Sequence, residues 1–365
     1  MQLSHKFSAV AAVFDEPSLV SAAGLVPVVG LAERAGLRRL ADQLLSVPTD
    51  RGANAGLKVA SLVAGMVAGA DSIEDMALLR HGGMGRLFDA IYAPSTLGSF
   101  LREFRFGHVR QLDAVAARVT ANLAGCSPLL AGADQVSYVD VDDTVKQTYG
   151  YRKQGAGYGY TGVEGLNALI ATVSTPLSAP VIVAARLRRG SAHSGRGAAR
   201  LVADALTGAR ACGASGLVIV RADSAYYAAE VVAAIRRGSA YFSITARKDP
   251  AVERAIGAIR EQAWTPIRYP QAVFDDQLGQ WVSDAEVAEV PFTAFGSKPK
   301  AKQVPGRLIV RRVRDANPDH VQINAQGELS TSGGIMRCSP TRHWARSTPK
   351  PTTAATRSSS RSSPT

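Results

Sequence analysis

Apolar residues early in this 365-residue chain recur at helical spacing, and their period changes near residue 135. From Leu97 to Phe104 they fall at i, i+3, i+4 and i+7, which predicts a helix with one buried face. Residues 1–130 are therefore predicted to form a helical region. Its helices are predicted over 55–69, from Ser72, from Pro94 with a hydroxyl cap, and over 108–124. Its basic side chains are predicted to face solvent or phosphate: Lys58, Arg80, Arg102, Arg105 and Arg110.

Short apolar, β-branched runs replace the helical spacing over residues 135–263. They predict strands over 136–142, 166–174, 180–186, 217–222 and 240–245, with helices over 195–206 and 225–236. The order is three strands, then a helix, a strand, a helix and a strand. That order is typical of an α/β protein with a ribonuclease H-like mixed sheet, in which the first and fourth strands are neighbours.

Two further segments follow this predicted core. Residues 264–329 alternate short apolar segments with turn residues, which predicts a β-rich insertion. Its basic residues form a candidate DNA-contacting surface, with a charged sheet edge as the alternative: Lys298, Lys300, Lys302, Arg307, Arg311, Arg312 and Arg314. Residues 330–365 hold 16 Ser or Thr, no acid and no apolar periodicity. This tail is predicted to be disordered.

The composition indicates a polyanionic partner. The net charge is +12 and the isoelectric point is near 9.9, as expected for a nucleic-acid-binding protein, although six bases in the tail supply half of that charge. Three scattered cysteines argue against a disulfide framework and favour a reducing cytoplasm. No signal peptide is apparent, and no apolar stretch reaches the ~20 residues that span a bilayer. No membrane contact is expected.

Two aspartates, Asp142 and Asp223, each follow an apolar run that is predicted to be a buried strand. The carboxyl ends of such strands are where open α/β sheets place ligands, and the predicted topology brings these two ends side by side. Adjacent carboxylates repel unless a cation lies between them, and hard divalent cations prefer oxygen ligands. The pair therefore predicts a magnesium or manganese site for phosphate chemistry.

Several neighbours of these acids have alternative readings. Asp140 projects to the same side of its strand as Asp142, so it either supports that acid or is a buried carboxylate satisfied by backbone N–H groups. Asp143 is predicted to be a turn residue or a helix cap. Arg221 either covers the sheet end or contacts a DNA phosphate. His193 is predicted to be a loop histidine rather than a metal ligand.

From about Asp71 to Glu328 the sequence resembles the DDE transposases of bacterial insertion sequences, in the group with a β-rich insertion. The blocks that carry the resemblance are 93–104 (APSTLGSFLREF), 108–112 (HVRQL), 140–144 (DVDDT), 187–194 (LRRGSAHS) and 221–227 (RADSAYY). The resemblance implies that Asp142 and Asp223 are the first and second catalytic acids of a two-metal Mg²⁺ or Mn²⁺ site. It also implies that the N-terminal helices recognise the terminal inverted repeats of the element.

The expected partner is therefore double-stranded DNA, both inverted repeats and target, with a homodimer as one candidate assembly. The candidate DNA contacts are Arg102, Arg105, Arg110, Arg188, Arg189 and Arg221.

The family's third acid has no counterpart in this sequence. Two-metal phosphoryl transfer needs about three carboxylates, and the third is expected on a helix after the fifth strand. No Asp or Glu follows Glu328, which borders a glycine turn, while Glu286 and Glu289 lie in the insertion. The sequence is therefore interpreted as a frameshifted or truncated transposase whose strand transfer is near background.

Two other functions remain open at this stage. A haloacid-dehalogenase-type phosphatase would use Asp140 as its nucleophile and Asp142 as its acid/base, a short pattern that chance also produces. A chain that has lost catalysis could still bind element ends and inhibit the intact transposase. In the remaining interpretation the chain is a pseudogene product that folds poorly and has no function.

Overall fold

The computed structural model describes residues 18–88, 91–149, 153–267, 273–275, 280–282, 285–313 and 335–338. Its helical part contains α1 (Leu25–Arg34), α2 (Leu37–Leu44), α3 (Ala55–Val67), α4 (Pro94–Arg102) and α5 (Phe106–Cys126). The predicted helices from residue 55, from Pro94 and over 108–124 are present. The segment after Ser72 is a 3₁₀ helix, Glu74–Arg80. No side chain caps α4, so the predicted hydroxyl cap is wrong.

The helical part is built around a core that includes the fully buried Leu97 and Phe100 of α4. Lys58 enters this core and is 4% exposed, so the prediction that it faces solvent or phosphate is wrong. Its Nζ donates to the carbonyl oxygens of Arg51 at 2.7 Å and Ala53 at 2.5 Å, and lies 5.3 Å from the Phe100 ring centre. These partners compensate a buried ammonium group that would otherwise be costly.

The sheet confirms the ribonuclease H-like arrangement. Its elements are β1 (Val136–Gln147), β2 (Gly157–Tyr158), β3 (Glu164–Thr175), β4 (Ser178–Arg189), α6 (Ala198–Ala211), β5 (Leu217–Ala222), α7 (Ala229–Arg237) and β6 (Tyr241–Thr245). The five central strands lie in the order β4-β3-β1-β5-β6. Strand β3 is antiparallel to β1 and β4, whereas β1, β5 and β6 are parallel. All seven predicted elements are present.

One face of this sheet is buried because apolar side chains alternate along β1. Val139 and Val141 are in the same core as Leu201 of α6 and Ile235 of α7, and all four are at most 4% exposed. The period-2 pattern of a half-buried strand therefore decides which residues of β1 face the helices and which face away. The alternation continues into the three aspartates of β1, where it sets their environments.

A β-rich segment follows the central sheet, as predicted. It consists of α8 (Pro250–Gly257), β7 (Thr265–Ile267), β8 (Val273–Asp275), β9 (Gln280–Val282), β10 (Ala285–Ala294) and β11 (Val304–Val313). Strands β10 and β11 form an antiparallel hairpin, with β7 beside β10, while β8 and β9 pair separately. Neither β2 nor α8 was predicted.

The predicted disordered tail contributes one strand. Residues Ile335–Cys338 form β12, which lies between β6 and β11 and continues the main sheet into the β10–β11 hairpin. The prediction of disorder therefore does not hold for these four residues, and the rest of 330–365 lies outside the described residues. Among the helices that the structure describes, none is both long and apolar enough to cross a bilayer.

Candidate functional site

Strand register brings Asp142 and Asp223 together. The prediction that the first strand ends at Asp142 is wrong, because β1 continues to Gln147 along β3. Its parallel pairing with β5, however, ends at the Val141–Ala222 pair. Asp142 directly follows Val141 on β1, and Asp223 directly follows Ala222 at the end of β5. Because neighbouring strands lie about 5 Å apart, the two acids are adjacent at the carboxyl end of the parallel ladder.

Both of these carboxylates are exposed. Asp142 Oδ1 accepts from the backbone N of Asp143 at 2.8 Å, and Asp223 Oδ1 accepts from the backbone N of Ala225 at 2.9 Å. No Lys or Arg among the described residues lies within ion-pair distance of either acid. The remaining carboxylate oxygens are available to a ligand, and their mutual repulsion favours a cationic one.

Asp140 is held by Arg221. The guanidinium Nε and one terminal nitrogen each donate to one oxygen of Asp140 at 2.6 Å, and the guanidinium also lies 4.4 Å from the centre of the Tyr138 ring. The hydrogen bond that Arg221 donates to Asp140 raises the pKa of Arg221, although burial opposes the shift. Both oxygens of Asp140 are thus paired with a side chain and not with backbone N–H groups, while the Arg221 side chain remains 46% exposed.

That pairing also bears on the phosphatase alternative. A nucleophilic carboxylate must present an oxygen to phosphorus, whereas both oxygens of Asp140 accept hydrogen bonds from Arg221 in a bidentate pair. The geometry therefore disfavours Asp140 as a nucleophile.

Asp143 lies within β1 and is neither a turn residue nor a helix cap, which corrects the prediction. Its side chain is 4% exposed and accepts from Asn167 Nδ2 at 2.5 Å and Tyr226 Oη at 2.8 Å. Burial acts to raise the pKa of Asp143, but hydrogen bonds from Ser194, Asn167 and Tyr226 and the nearby charge of Arg188 outweigh it. The net pKa lies below the usual value, so this buried group is a carboxylate at neutral pH.

Arg188 lies inside the protein, with its side chain 9% exposed and Nη2 3.4 Å from Asp143 Oδ2. It donates to Asn167 Oδ1 at 2.9 and 2.5 Å. It also donates to three carbonyl oxygens of the loop after β4: His193 at 3.3 Å, Ser194 at 2.9 Å and Arg196 at 2.6 Å. Arg188 therefore fixes that loop and is not free to contact DNA in this arrangement.

Sequence reasoning missed this buried network of Asp143, Asn167, Arg188, Ser194 and Tyr226. One signal was present in the sequence: Asn167 interrupts the apolar run of β3. In the structure it pairs in register with Arg188 on β4. A buried amide opposite an arginine indicates a satisfied polar cluster.

The other candidate DNA contacts divide into arginines without an ion pair among the described residues, of which Arg102 donates to Ser99 Oγ at 3.2 Å, and basic residues that pair with acids. Arg102, Arg105 and Arg189 are exposed. Arg110 is partly buried and pairs with Asp113 at 2.5 Å and Asp204 at 3.8 Å. In the β-rich segment, Lys298, Lys300 and Lys302 are exposed, while Arg307 and Arg312 pair with acids. Arg314 lies outside the described residues.

The late glutamates are engaged elsewhere. Glu286 accepts from Arg312 at 2.6 Å and Glu289 accepts from Arg307 at 2.8 Å, both on the β10–β11 hairpin. Four strands lie between β10 and β1, which places β10 roughly 24 Å away along the sheet. Glu328 lies outside the described residues. In the described parts of the chain, no group of three His, Cys, Asp or Glu residues could hold a metal ion.

The sheet order and the paired acids define a ribonuclease H-like protein with an acidic site at the end of its parallel strands. The sequence profile of the family described as "Transposase DDE domain group 1" matches residues 4–330, and the chain belongs to this family. Members of the DDE class are enzymes that use divalent metal ions. No curated protein matches the sequence.

One solved structure with similarity to the chain is described as "Crystal structure of the Mos1 Strand Transfer Complex". The identity is 14%, and the match covers 57% of this chain and 65% of that one. The TM-score of 0.18 is too low for the superposition to carry an argument. The fold assignment therefore rests on the strand order described above.

Proposed function

We propose that this chain is a transposase of a bacterial insertion sequence whose site for DNA cleavage and strand transfer is built on Asp142 and Asp223. The observation that carries the proposal is the strand register. It leaves the two exposed acids adjacent, directly beyond the last parallel pair of β1 and β5. Membership of the DDE family supplies the reaction class.

The donor set fits a hard divalent cation. Two adjacent carboxylates with free oxygens and no basic partner among the described residues match the ligand preference of Mg²⁺ or Mn²⁺. When bound, such ions activate the attacking oxygen and stabilise the leaving oxygen of an in-line displacement. Asp142 and Asp223 would hold the ion, and Asp140 supports the site by keeping Arg221 engaged.

The buried network positions both acids. Asp143 follows Asp142 on β1, and Tyr226 lies three residues after Asp223, so the 2.8 Å bond between Tyr226 and Asp143 joins the two acid-bearing segments. Asn167 fixes Asp143 from β3. Rigid placement of this kind is what a catalytic constellation needs, since displacements of about 1 Å can cost 10²-fold in rate.

Double-stranded DNA is the proposed substrate, as inverted repeats bound by the helical region and as target. The exposed Arg102 and Arg105 on the helical region and Arg189 at the end of β4 are the proposed phosphate contacts. Phosphate contacts release counterions, so DNA affinity should fall steeply as salt rises.

We further propose that the site is incomplete in this sequence and that strand transfer is near background. The support is that residues 329–365 hold no Asp or Glu, and that Glu286 and Glu289 are paired with arginines. A chain of this kind would bind element ends without cutting them and would compete with an intact transposase.

Two measurements on the purified full chain test these proposals separately. Titration with Mn²⁺, followed by electron paramagnetic resonance, should show a site that is lost in Asp142→Asn and in Asp223→Asn. The metal site would be refuted if the wild-type chain bound no Mn²⁺, or if both variants bound Mn²⁺ as well as the wild type. Transposition of a marked element should not exceed a no-protein control. Activity above that control would refute the incompleteness while supporting the transposase function.

A further inference from the structure

One face of the central sheet is left open by the described parts of the chain. Helices α6 and α7 pack on the other face, where Val139 and Val141 of β1 belong to the core. Asp142 projects from the open face, which is called the acid face below. On the same face, β4 contributes Ile182 and Leu187, which are 56% and 40% exposed.

The sequence of β3 and β4 predicts strands that are buried on both faces. Apolar residues follow one another without alternation over 168–171 (ALIA) and 180–185 (PVIVAA). A strand with one solvated face alternates apolar and polar residues instead. In the structure one set of these side chains is in the core, including Leu169, Ala171 and Val183. The other set forms an apolar surface on the acid face, and such surfaces mark interaction sites.

Strand register arranges the acid face in three rows. The pairs of β1 and β3 that define them are Asp142–Ile170, Thr144–Ala168 and Lys146–Leu166. The rows continue onto β4, in the same order, with Ala185, Leu187 and Arg189. Neighbouring rows are about 7 Å apart, because two residues of an extended strand span that distance. The second of these, called the middle row, therefore lies halfway between a row with an acid and a row with two bases.

The acid face is self-complementary about its middle row. A two-fold axis along that row brings a second copy of the face into contact and exchanges the two outer rows. Asp142 of each copy then lies opposite Lys146 of the other, and Ile170 lies opposite Leu166. Side chains of the middle row, such as Ala168, meet their own copies. An isologous interface requires a surface that matches itself in this way.

The charges that would pair across this contact are available. Asp142 and Lys146 are exposed, and neither is in an ion pair among the described residues. Arg189 is also exposed and falls opposite Ala185, whose small side chain leaves it room. Opposite charges across an interface fix its register and suppress wrong alignments.

The area of the acid face fits a weak, reversible association. Strands β4, β3 and β1 are neighbours, and about nine residues on each give roughly 440 Å² of flat surface per copy. The roughly 900 Å² of a pair falls among transient contacts, below the ~1,200 Å² of stable ones. The dissociation constant should therefore be micromolar or weaker.

We propose that two copies of this chain form a reversible dimer through their acid faces, with the two-fold axis along the middle row. The sheets stack about 10 Å apart, as in β-sandwiches, and each Asp142 pairs with Lys146 of the second copy. The dimer covers Asp142, so the paired acids are accessible only in the monomer. The surface is independent of the proposed function, because it needs neither DNA nor a metal ion.

Sedimentation equilibrium of the purified full chain tests the dimer. The wild-type chain should shift from monomer to dimer across micromolar concentrations. Leu187→Lys places two lysines together at the axis, so it should weaken the dimer by at least about tenfold. The matched control is Leu177→Lys, at a residue that is 74% exposed in the turn before β4 and lies outside the acid face. It should dimerise like the wild type.

A charge exchange tests the alignment of the two copies. Asp142→Lys places a lysine opposite Lys146, and Lys146→Asp places an aspartate opposite Asp142, so each variant alone should dimerise weakly. In an equimolar mixture each ion pair again joins opposite charges, so the two variants should form a mixed dimer about as stable as the wild type. Circular dichroism checks that both variants are folded. Association that returns on mixing separates a specific contact from misfolding.

Three results would overturn the inference. A wild-type chain that stays monomeric would leave the acid face to a different occupant. Equal dimerisation of Leu187→Lys and the wild type would place the contact elsewhere. Folded Asp142→Lys and Lys146→Asp chains that stay monomeric when mixed would exclude the two-fold alignment. None of these results bears on the Mn²⁺ or transposition measurements, so the proposed function is tested separately.

Discussion

Asp142 and Asp143 are neighbours on β1, yet their side chains lie on opposite faces of the sheet and in opposite environments. Asp143 is 4% exposed, with hydrogen bonds from Asn167 and Tyr226 and the charge of Arg188 nearby. Asp142 is exposed, lies beside Asp223, and has no basic partner among the described residues. The period of the strand, not the residue type, separates an acid that holds the structure together from one that can hold a ligand.

The two environments have opposite energetic signs. A buried carboxylate is tolerated only when charge and hydrogen bonds replace the water it loses, and here three other segments of the fold supply them. Exposed paired carboxylates repel, and a cation relieves that repulsion. The hydrogen bonds and charges around Asp143 thus contribute to the stability of the fold. On the Asp142 face, a bound cation would supply the stabilisation.

The largest expected effect is on the buried face. Asp143→Asn leaves Arg188 without its nearby carboxylate, so the free energy of unfolding should fall by about 3–5 kcal/mol, the loss typical of a broken buried pair. Urea denaturation at neutral pH measures it. Asp134→Asn, at an exposed aspartate, should change stability by less than about 0.5 kcal/mol. Equal effects of the two variants would contradict the buried assignment.

Acid titration sharpens the same comparison. The pKa of Asp143 is lowered in the folded state, so its carboxylate contributes stability above the unfolded pKa of about 3.9. That contribution is lost as pH falls through the lower folded pKa. The stability difference between wild type and Asp143→Asn should therefore be constant near neutral pH and shrink in the acid range. A difference that persists at the acid end would contradict the assignment.

On the exposed face, Asp142→Asn should weaken Mn²⁺ binding by about 100-fold or more, because even supporting partners of metal ligands contribute 10–100-fold. The free energy of unfolding without metal should change by less than about 0.5 kcal/mol. Asp140→Asn, on the same face, should weaken Mn²⁺ binding less than Asp142→Asn, because it only releases Arg221 from its ion pair. If both variants lose Mn²⁺ equally, Asp140 is itself a ligand.

Much of this division was predictable from the sequence. The order of strands and helices over 135–263 predicts the first and fourth strands to be neighbours, which brings Asp142 and Asp223 together. That inference needs only local pattern and topology. The β5 boundaries, Leu217–Ala222, agree with the prediction.

The environment of the polar residues was not predictable in the same way. The local sequence around Asp143 predicts the end of a strand. In the structure its buried carboxylate is instead compensated inside the sheet by Asn167 on β3, Arg188 on β4 and Tyr226 after β5. The sequence predicts that Lys58 faces solvent from a helix, but its ammonium group donates to carbonyl oxygens of the preceding turn. In each case the compensating partner is a contact that side-chain periodicity does not encode.

A smaller effect is expected from the bond that joins the two acid-bearing segments. Tyr226→Phe removes the hydroxyl that donates to Asp143, and a hydrogen bond to a charged group contributes about 1.5–3 kcal/mol. Urea denaturation should show that loss, and Mn²⁺ affinity should fall with it if the bond positions Asp142 and Asp223. Tyr227→Phe is the neighbouring control. Lost stability with unchanged Mn²⁺ affinity would make Tyr226 structural only.

The smallest expected effect tests how the Arg221–Asp140 ion pair influences the paired acids on the same face. Arg221 and Asp140 are 46% and 37% exposed, so a double-mutant cycle should give a coupling of only about 0.2–1 kcal/mol in stability. Arg221→Ala also removes a positive charge near the acids and frees Asp140, which lies on the same face as Asp142. Mn²⁺ affinity should therefore rise a few-fold, because a competing cation is replaced by an available carboxylate. A fall in Mn²⁺ affinity would instead show that Arg221 orders the acids, which would tie the exposed site to the sheet end.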